Sequence, residues 1–426
     1  MNKILITSTT AASILLLAAC SGSNQQTDNT VIDIAGAISS PKELKVSDLG
    51  SKITYVPLET NDSALIPQTW MLIPTENRLL VVNYSTWGIG HQNCLAFDSN
   101  GKFLGAIGHT GQDPEAYSSP FPLVSPDGNR LYFPGYSGQG AFEQVYAIDG
   151  TYLGRVFPKM PPLGNPSSSV LIDTTIVTVD APYIKGVQYF TVYSGGLNSD
   201  SVTTFAVNPI PSDLDRSMFF NDVVMYNVKG VMRNPVANYT EYIENGGEKR
   251  HLFNAQHTMP RIWRTNGQTH YRISLTDTIL NITPESVEVA YTFDCGPGAI
   301  TPQEMNSNGI HASNIIVSDL CETPSLIVFG ASRGWMRDDN HEPFVGYFDK
   351  ATGKTFATSA KEGFVDDLTG FMPFYPVLAN ERGDLIGIIT MDDIAAWTEA
   401  HPDAEIPEAL RNLAEDANPI CVIVSK

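Results

Sequence analysis

The sequence predicts an all-β fold, a single β-propeller of six or seven blades. Three observations predict it. From about Lys52 onward, short runs rich in Val, Ile, Tyr, Phe and Thr are broken by Gly, Asn, Asp and Pro at roughly 8–12-residue spacing, the rhythm of sandwiches, barrels and propellers. A unit of about 40–50 residues holding four such runs recurs, as propeller blades do. Strand-like segments at the two ends of the chain, residues 53–58 and 419–424, have no local partner and can close a ring on each other.

The first unit is the clearest. Residues 78–83 (RLLVVN) and 93–98 (NCLAFD) read as strands, Ser99-Asn100-Gly101 as a turn, and residues 102–107 as the returning strand. Asn-Gly suits a tight turn because both residues tolerate positive φ. The pattern repeats: "CLAFDSNGKFLGAIG" is matched by "VYAIDGTYLGRVF" at 145–157, preceded by the turn Asp127-Gly128-Asn129 and the strand 130–133. Residues 175–180 and 187–193 read as strands of a third unit. Residues 268–273, 277–282 and 286–293 form a further one, and 325–331, 344–349 and 354–359 another, with Lys350-Ala351-Thr352-Gly353 as its turn. Residues 374–378 and 384–390 begin the last. Residues 215–255 are irregular, so the count depends on how 165–255 divide. One helical insertion is expected, between Asp392 and Ala417, broken at Pro402 and restarted at Pro407, a residue suited to a first helical turn.

The N-terminus predicts an address. Lys3 precedes a short apolar stretch from Ile4 to Leu17, diluted by Thr7 to Thr10, and Leu17-Ala18-Ala19-Cys20 has the form of a lipobox. The stretch is too short and interrupted for a membrane span and reads as a signal segment. The expected organisation is a signal peptide at 1–19, a polar tether over 20–40 starting at acylated Cys20, and the propeller over 41–426. The expected location is the outer membrane, reached through the lipid on Cys20 and facing the periplasm or the cell surface. The residues after Cys20 lack a strong acidic cluster, which favours the periplasmic side.

The chain of 426 residues carries 46 acidic against 26 basic residues, a formal charge of −20, which argues against a nucleic-acid partner. It also leaves the lipid, rather than a basic surface, as the membrane contact. Cys94, Cys295, Cys321 and Cys421 could pair in an oxidising compartment, but none sits in a CxxC. Cys94 and Cys421 lie in apolar runs, as buried small hydrophobes do.

Several segments also resemble a known family. "KITYVPLET", "FDSNGKFLGAIGHTGQDPEAY", "DTILNITPESVEVAYTFDCG", "GYFDKATGKT" and "NPICVIVSK" occur in this order across nearly the whole mature chain. In this the chain resembles the six-bladed β-propeller lipoproteins abundant in gut-dwelling Gram-negative bacteria, a family of largely uncharacterised function. The resemblance implies six blades and supplies no catalytic residues. Gln112-Asp113-Pro114-Glu115 departs from the glycine-richer loop of relatives.

No strong catalytic motif stands out. Gly330-Ala331-Ser332-Arg333-Gly334 fits G-x-S-x-G, but a nucleophile elbow needs a helix after the serine, and Trp335 to Pro343 is a polar turn. The eight histidines show no zinc-helix spacing, and no metal or other cofactor is expected. Asp98, Asn100 and Gly101 lack the further ligands of a calcium loop. There is no P-loop or dinucleotide fingerprint.

Loops on a rigid scaffold are then the candidate binding surfaces. One contributes His109, Gln112, Asp113, Glu115 and Tyr117; a second, Arg333, Trp335 and Arg337; a third, Arg261 and Trp263. Aromatic faces beside directional donors suit a sugar or a peptide. The expected function is therefore a cell-envelope binding or interaction module for a glycan, a peptide or an envelope protein, rather than an enzyme. The alternatives are a propeller-scaffold lyase or hydrolase with an axial site, and a structural accessory of an outer-membrane complex. Convergence of His, Arg and carboxylates from three or more blades in one pocket would favour the enzyme.

Overall fold

The computed structural model describes residues 30–67, 69–84, 92–159, 169–172, 175–184, 187–194, 197, 201–209, 222–232, 235–243, 249–252, 260–273, 276–300, 311–336 and 339–426. The N-terminal part holds β1 (Thr30–Asp33), helix α1 (Ile34–Ser39), β2 (Leu44–Lys45), helix α2 (Val46–Leu49) and β3 (Lys52–Pro57). Four antiparallel strands follow in sequence order, β4 (Trp70–Pro74), β5 (Arg78–Asn83), β6 (Asn93–Asp98) and β7 (Phe103–Ala106). The next sheet is β8 (Leu123–Val124), β9 (Arg130–Ser137), β10 (Gly140–Ala147) and β11 (Tyr152–Val156). A third is β12 (Ser169–Ile172), β13 (Thr175–Ile184), β14 (Val187–Ser194) and β15 (Ser201–Pro209). The irregular region becomes a three-stranded sheet of β16 (Asp222–Lys229), β17 (Pro235–Ile243) and β18 (Lys249–Leu252).

Then come β19 (Pro260–Thr265), β20 (Gln268–Ile273), β21 (Thr278–Ile282) and β22 (Val287–Asp294), and after them β23 (Ile315–Glu322), β24 (Leu326–Arg333), β25 (Glu342–Asp349) and β26 (Lys354–Ser359). The two-residue β27 (Phe364–Val365) pairs in parallel with β2. The last elements are β28 (Pro376–Ala379), β29 (Leu385–Ile389), helix α3 (Met391–Ala400) and β30 (Ile420–Ser425).

The arrangement is an all-β propeller with few helices. Among the described residues its four-stranded blades number five, which corrects the expected six or seven. The sheet of β19 to β22 takes β1 as a parallel fifth strand, and the sheet of β16 to β18 has only three strands. The parallel addition also corrects the expected tether, since residues 30–40 are folded. Asp33 caps α1 by accepting from the Gly36 N–H, and Ile32, Ile34 and Ile38 are buried against the sheets that hold Phe293 and Phe329. Those isoleucines supply the apolar surface that a solvated tether would lack.

The terminal strands pair as expected. β3 runs antiparallel to β30, with Ile53 opposite Val424 and Tyr55 opposite Val422. Asn418 reinforces the seam, its side-chain amide donating to the Glu59 and Ala64 carbonyls and accepting from the Ile66 N–H. The Ser99-Asn100-Gly101 turn packs on the same seam. Gly101 has φ +81°, and a Cβ there would stand 2.0 Å from the Pro57 carbonyl oxygen, so only glycine fits. The helical expectation holds for 391–400, capped by Thr390; its second half shortens to one 3₁₀ turn at Glu408–Leu410.

Apolar runs are continuous because most sheets bury both faces. In β5, Leu79 and Val81 pack toward the closing sheet with Val56 and Cys421, while Leu80 and Val82 pack the other way against Leu131 and Phe133. In β24, Val328 and Phe329 likewise fall into different clusters. The core is thus a series of wedges between successive sheets. Near the centre β8 touches β12, β12 touches β19, and β23 touches β28, so the first strands of the sheets surround a common axis.

Candidate functional site

A cavity of about 500 Å³ lies on that axis. It is walled by the first strands β4, β8, β12, β19, β23 and β28 and by the turns after them, including Glu76, Asp127 and Glu381-Arg382. Its volume falls in the range of small-molecule sites. Most of its wall is apolar, from Leu72, Ile73, Pro122, Leu123, Val170 and Leu378. Charge and aromaticity come chiefly from β19, β23 and the β28–β29 turn.

The hairpin of β19 and β20 is built around Asn266-Gly267, whose φ values of +49° and +75° are those an Asn-Gly hairpin turn needs. Its register places Trp263 opposite His270 and Arg261 opposite Arg272. Strand alternation therefore puts two arginines, a tryptophan and a histidine on one face.

That face meets Glu322 of β23. The Glu322 carboxylate is fully buried and accepts three hydrogen bonds: from Trp263 Nε1 at 2.8 Å, His270 Nδ1 at 2.6 Å and Lys350 Nζ at 2.6 Å. An ionised carboxylate only accepts, so Nδ1 of His270 carries a proton here. Burial pushes the Glu322 carboxyl up, but the hydrogen bond and charge of His270 and the Lys350 ammonium outweigh it and hold it below the usual range. Lys350 also donates to the Thr323 carbonyl at 2.8 Å. The network fixes the Trp263 ring at the cavity wall. Arg264, on the opposite face of β19, reaches Glu381 across the axis at 2.6 Å.

A second buried set lies behind the wall. Asp319 accepts from Ser318 Oγ at 2.7 Å and the Met232 N–H at 3.0 Å. Its carboxyl is pushed up by burial, against the pull of Ser318, Arg261 and Arg272. Arg272 is buried, donates to the Thr276 and Val317 carbonyls, and lies over the Phe293 ring. Burial lowers its pKa to about 10.

Of the residues expected from sequence, the structure brings only Arg261 and Trp263 into this cavity. His109, Gln112 and Asp113 are exposed, with His109 Nε2 and Asp113 Oδ2 2.6 Å apart. Glu115 offers its backbone carbonyl to the Tyr146 hydroxyl. Tyr117 is core rather than surface: it stacks on Phe133 with ring centroids 4.4 Å apart and donates to the Ile107 carbonyl. Trp335 is also buried, and Arg333 pairs with Glu342. Arg337 and Cys20 lie outside the described residues.

Strand alternation explains the separation. The 108–117 connection enters β8, and the 334–341 connection joins β24 to β25, so both lie at the end of the propeller away from the cavity's turns. Glu322, His270, Lys350, Arg264 and Glu381 were missed by sequence reasoning. The alternation of 261/263 with 270/272 about an Asn-Gly turn was the one local signal. No metal-binding group of three or more His, Cys, Asp or Glu occurs among the described residues.

Fold and cavity together define a β-propeller with a charged and aromatic axial site. The chain belongs to the family described as a domain of unknown function, DUF4934, which matches residues 29–425. Among solved structures it is similar to a protein of Bacteroides fragilis NCTC 9343 named as exported, with 14% identity over 93% of this chain and 99% of that one and a TM-score of 0.59. That likeness shows the fold alone. It also aligns with the β-propeller domain of the Trilobed protease of Pyrococcus furiosus (8% identity, 76% of this chain and 90% of that one, TM-score 0.29). A further alignment is with the acylaminoacyl peptidase of Pyrococcus horikoshii (11%, 82% and 51%, TM-score 0.31). Neither of these two carries an argument about this chain. No curated protein matches it.

Proposed function

We propose that this protein is a cell-envelope binding module that takes a small glycan or peptide into its axial cavity. The observation that carries this reading is the meeting of Arg261, Trp263 and Arg264 with Glu322 and Glu381 in one 500 Å³ space on the axis. An indole face beside directional donors and acceptors suits a ligand with an apolar face and polar edges. Arginines and carboxylates from more than three blades converge here, as an enzyme would also need, but among the described residues no histidine lines the cavity, and the state of these groups favours recognition over catalysis. A general acid or base must exchange protons near the working pH. Glu322 is committed to three donors, and Glu381 to Arg264.

The proposed location is the outer membrane, facing the periplasm or the cell surface, with the lipid on Cys20 as anchor. It is supported by Lys3, the short apolar stretch and Leu17-Ala18-Ala19-Cys20. The Bacteroides fragilis neighbour is named as exported, which supports export but not the anchor. Among the described residues no helix is long and apolar enough to cross a membrane.

Calorimetric titration of the protein with a panel of mono- and disaccharides and di- and tripeptides tests the binding reading. The expected result is saturable binding that weakens at least tenfold in Trp263→Ala. Failure of every panel member to bind, or equal binding by the variant, refutes it. Metabolic labelling with a radiolabelled fatty acid tests the anchor: label is expected in the wild type and absent in Cys20→Ser.

A further inference from the structure

One arginine of the axial cavity differs from the others in its partners. Among the described residues three arginines, four carboxylates and no lysine line the cavity. Arg264 is matched by Glu381 at 2.6 Å, and Arg382 by Asp384 at 3.6 Å. Among the described residues Arg261 forms no ion pair, although it is only partly exposed and stands on the cavity wall.

Its surroundings include a second guanidinium. Arg272 sits directly opposite on β20, and like charges directly opposite on a sheet repel. Burial is the main cause of the lowered Arg272 pKa; Asp319, Cys295 and Asp277 act to raise it, and Arg261 adds the smallest lowering. Asp319 offsets both, and Asp277 also offsets Arg272. Asp319 is already bonded to Ser318 and Met232, and burial favours its neutral form. Neither carboxylate forms an ion pair with Arg261, which stands on the cavity wall. Glu322, the next carboxylate along the wall, is balanced by the Lys350 ammonium and hydrogen-bonded to His270. The remaining lining carboxylates, Glu76 and Asp127, stand on the turns after β4 and β8, and Asp127 accepts from Ser125 and the Asn129 N–H of its own turn.

Resting on the binding reading above, we propose that the cavity is a carboxylate-recognition site, with the Arg261 guanidinium as the anchor of the ligand's anionic group and Trp263 as the face beside it. A guanidinium binds a carboxylate through two parallel N–H···O bonds, which sets ligand orientation as well as affinity. The carboxylate belongs to a small molecule that fits 500 Å³, a uronate sugar or a short peptide with a free C-terminus.

The test is a matched-pair titration of the full chain by calorimetry. Glucuronate is compared with glucose, and an N-acetylated dipeptide with its C-terminal amide. The expected result is that the acid of at least one pair binds at least tenfold more tightly than its neutral partner, and that acetate competes. The pair showing the preference identifies the source of the carboxylate. In Arg261→Gln the preference falls to within twofold of unity; in Arg261→Lys part of it survives. Equal binding of acid and neutral partners by the wild type overturns the proposal and leaves the binding reading standing. Preference retained in a folded Arg261→Gln overturns the assignment to Arg261. Absence of binding by either acid overturns it as well, and the wider panel then decides whether the binding reading falls too. The wild-type ratio and the acetate competition need no variant, so a misfolded substitution does not protect the proposal.

Discussion

Replacing Glu322 with glutamine keeps the shape of the side chain and removes its charge at a buried carboxylate that holds three donors. One Glu322 oxygen accepts from both Trp263 and His270, and the other accepts from Lys350. A glutamine can place its carbonyl where the first oxygen stands and keep two bonds. Its NH₂ then faces the Lys350 ammonium, donor against donor. A charge-assisted hydrogen bond contributes about 1.5–3 kcal/mol. Lys350 retains the Thr323 carbonyl and has 18% of its side chain in solvent, which limits the penalty. We therefore expect Glu322→Gln to destabilise by about 2 kcal/mol. Glu322→Ala, which strands the buried His270 and Lys350 donors together, should lose about 3–5 kcal/mol. The sign with pH is fixed by the depressed folded pKa. The stabilisation is present above the ordinary carboxyl value of 4.5 and is lost as pH falls through the folded value. The gap between wild type and Glu322→Gln should thus be full at pH 7 and shrink progressively below about pH 4.5. Urea midpoints at a series of pH values, read by tryptophan fluorescence, measure it. Coincident midpoints at pH 7, or a gap that widens on acidification, would refute the reasoning.

Other expectations follow from burial and topology. Cys94, Cys295, Cys321 and Cys421 are all buried and free of disulfides, and burial pushes each thiol up to about 12. Mass spectrometry after brief iodoacetamide treatment at pH 7.5 should find these four unmodified in the native protein and alkylated in denaturant. Tyr117→Ala should cost about 3–5 kcal/mol, since it empties a ring-sized site against Phe133, while leaving ligand affinity unchanged. Tyr117→Phe should cost only about 1 kcal/mol, the bond to the Ile107 carbonyl. Deleting residues 420–426 removes the strand between β29 and β3 and exposes two strand edges. Limited proteolysis should then cut within 44–60, where the intact chain resists.

Local chemistry carried much of the fold into view. The turns at Asn100-Gly101 and Asp127-Gly128 need only neighbouring residues to be recognised, because positive φ is a local demand; Gly101 and Gly128 have φ +81° and +68°. The two-sided apolar runs of β5 and β24 were legible for the same reason. The N-terminal segment was not. Residues 30–33 (TVID) follow the polar run 21–30 and take their place only because β22 offers them a parallel edge and α1 finds an apolar bed. The loop residues misled in the opposite sense: Tyr117 and Trp335 sit in polar stretches, yet packing takes both into the interior.

By itself the sequence determined the class of fold, the spacing of strands and turns, and the pairing of the first long strand with the last. Those follow from propensity, side-chain period and the need to cover strand edges. Only tertiary structure decided the number of four-stranded blades and the composition of the site. Glu322, His270 and Lys350 are separated by 52 and 28 positions and meet solely because two sheets face each other beside the axis. Arg261 acquires its meaning from what stands opposite it and from what does not neutralise it. No sequence period encodes either relation, since both depend on how sheets are set around a ring rather than on the residues next in the chain.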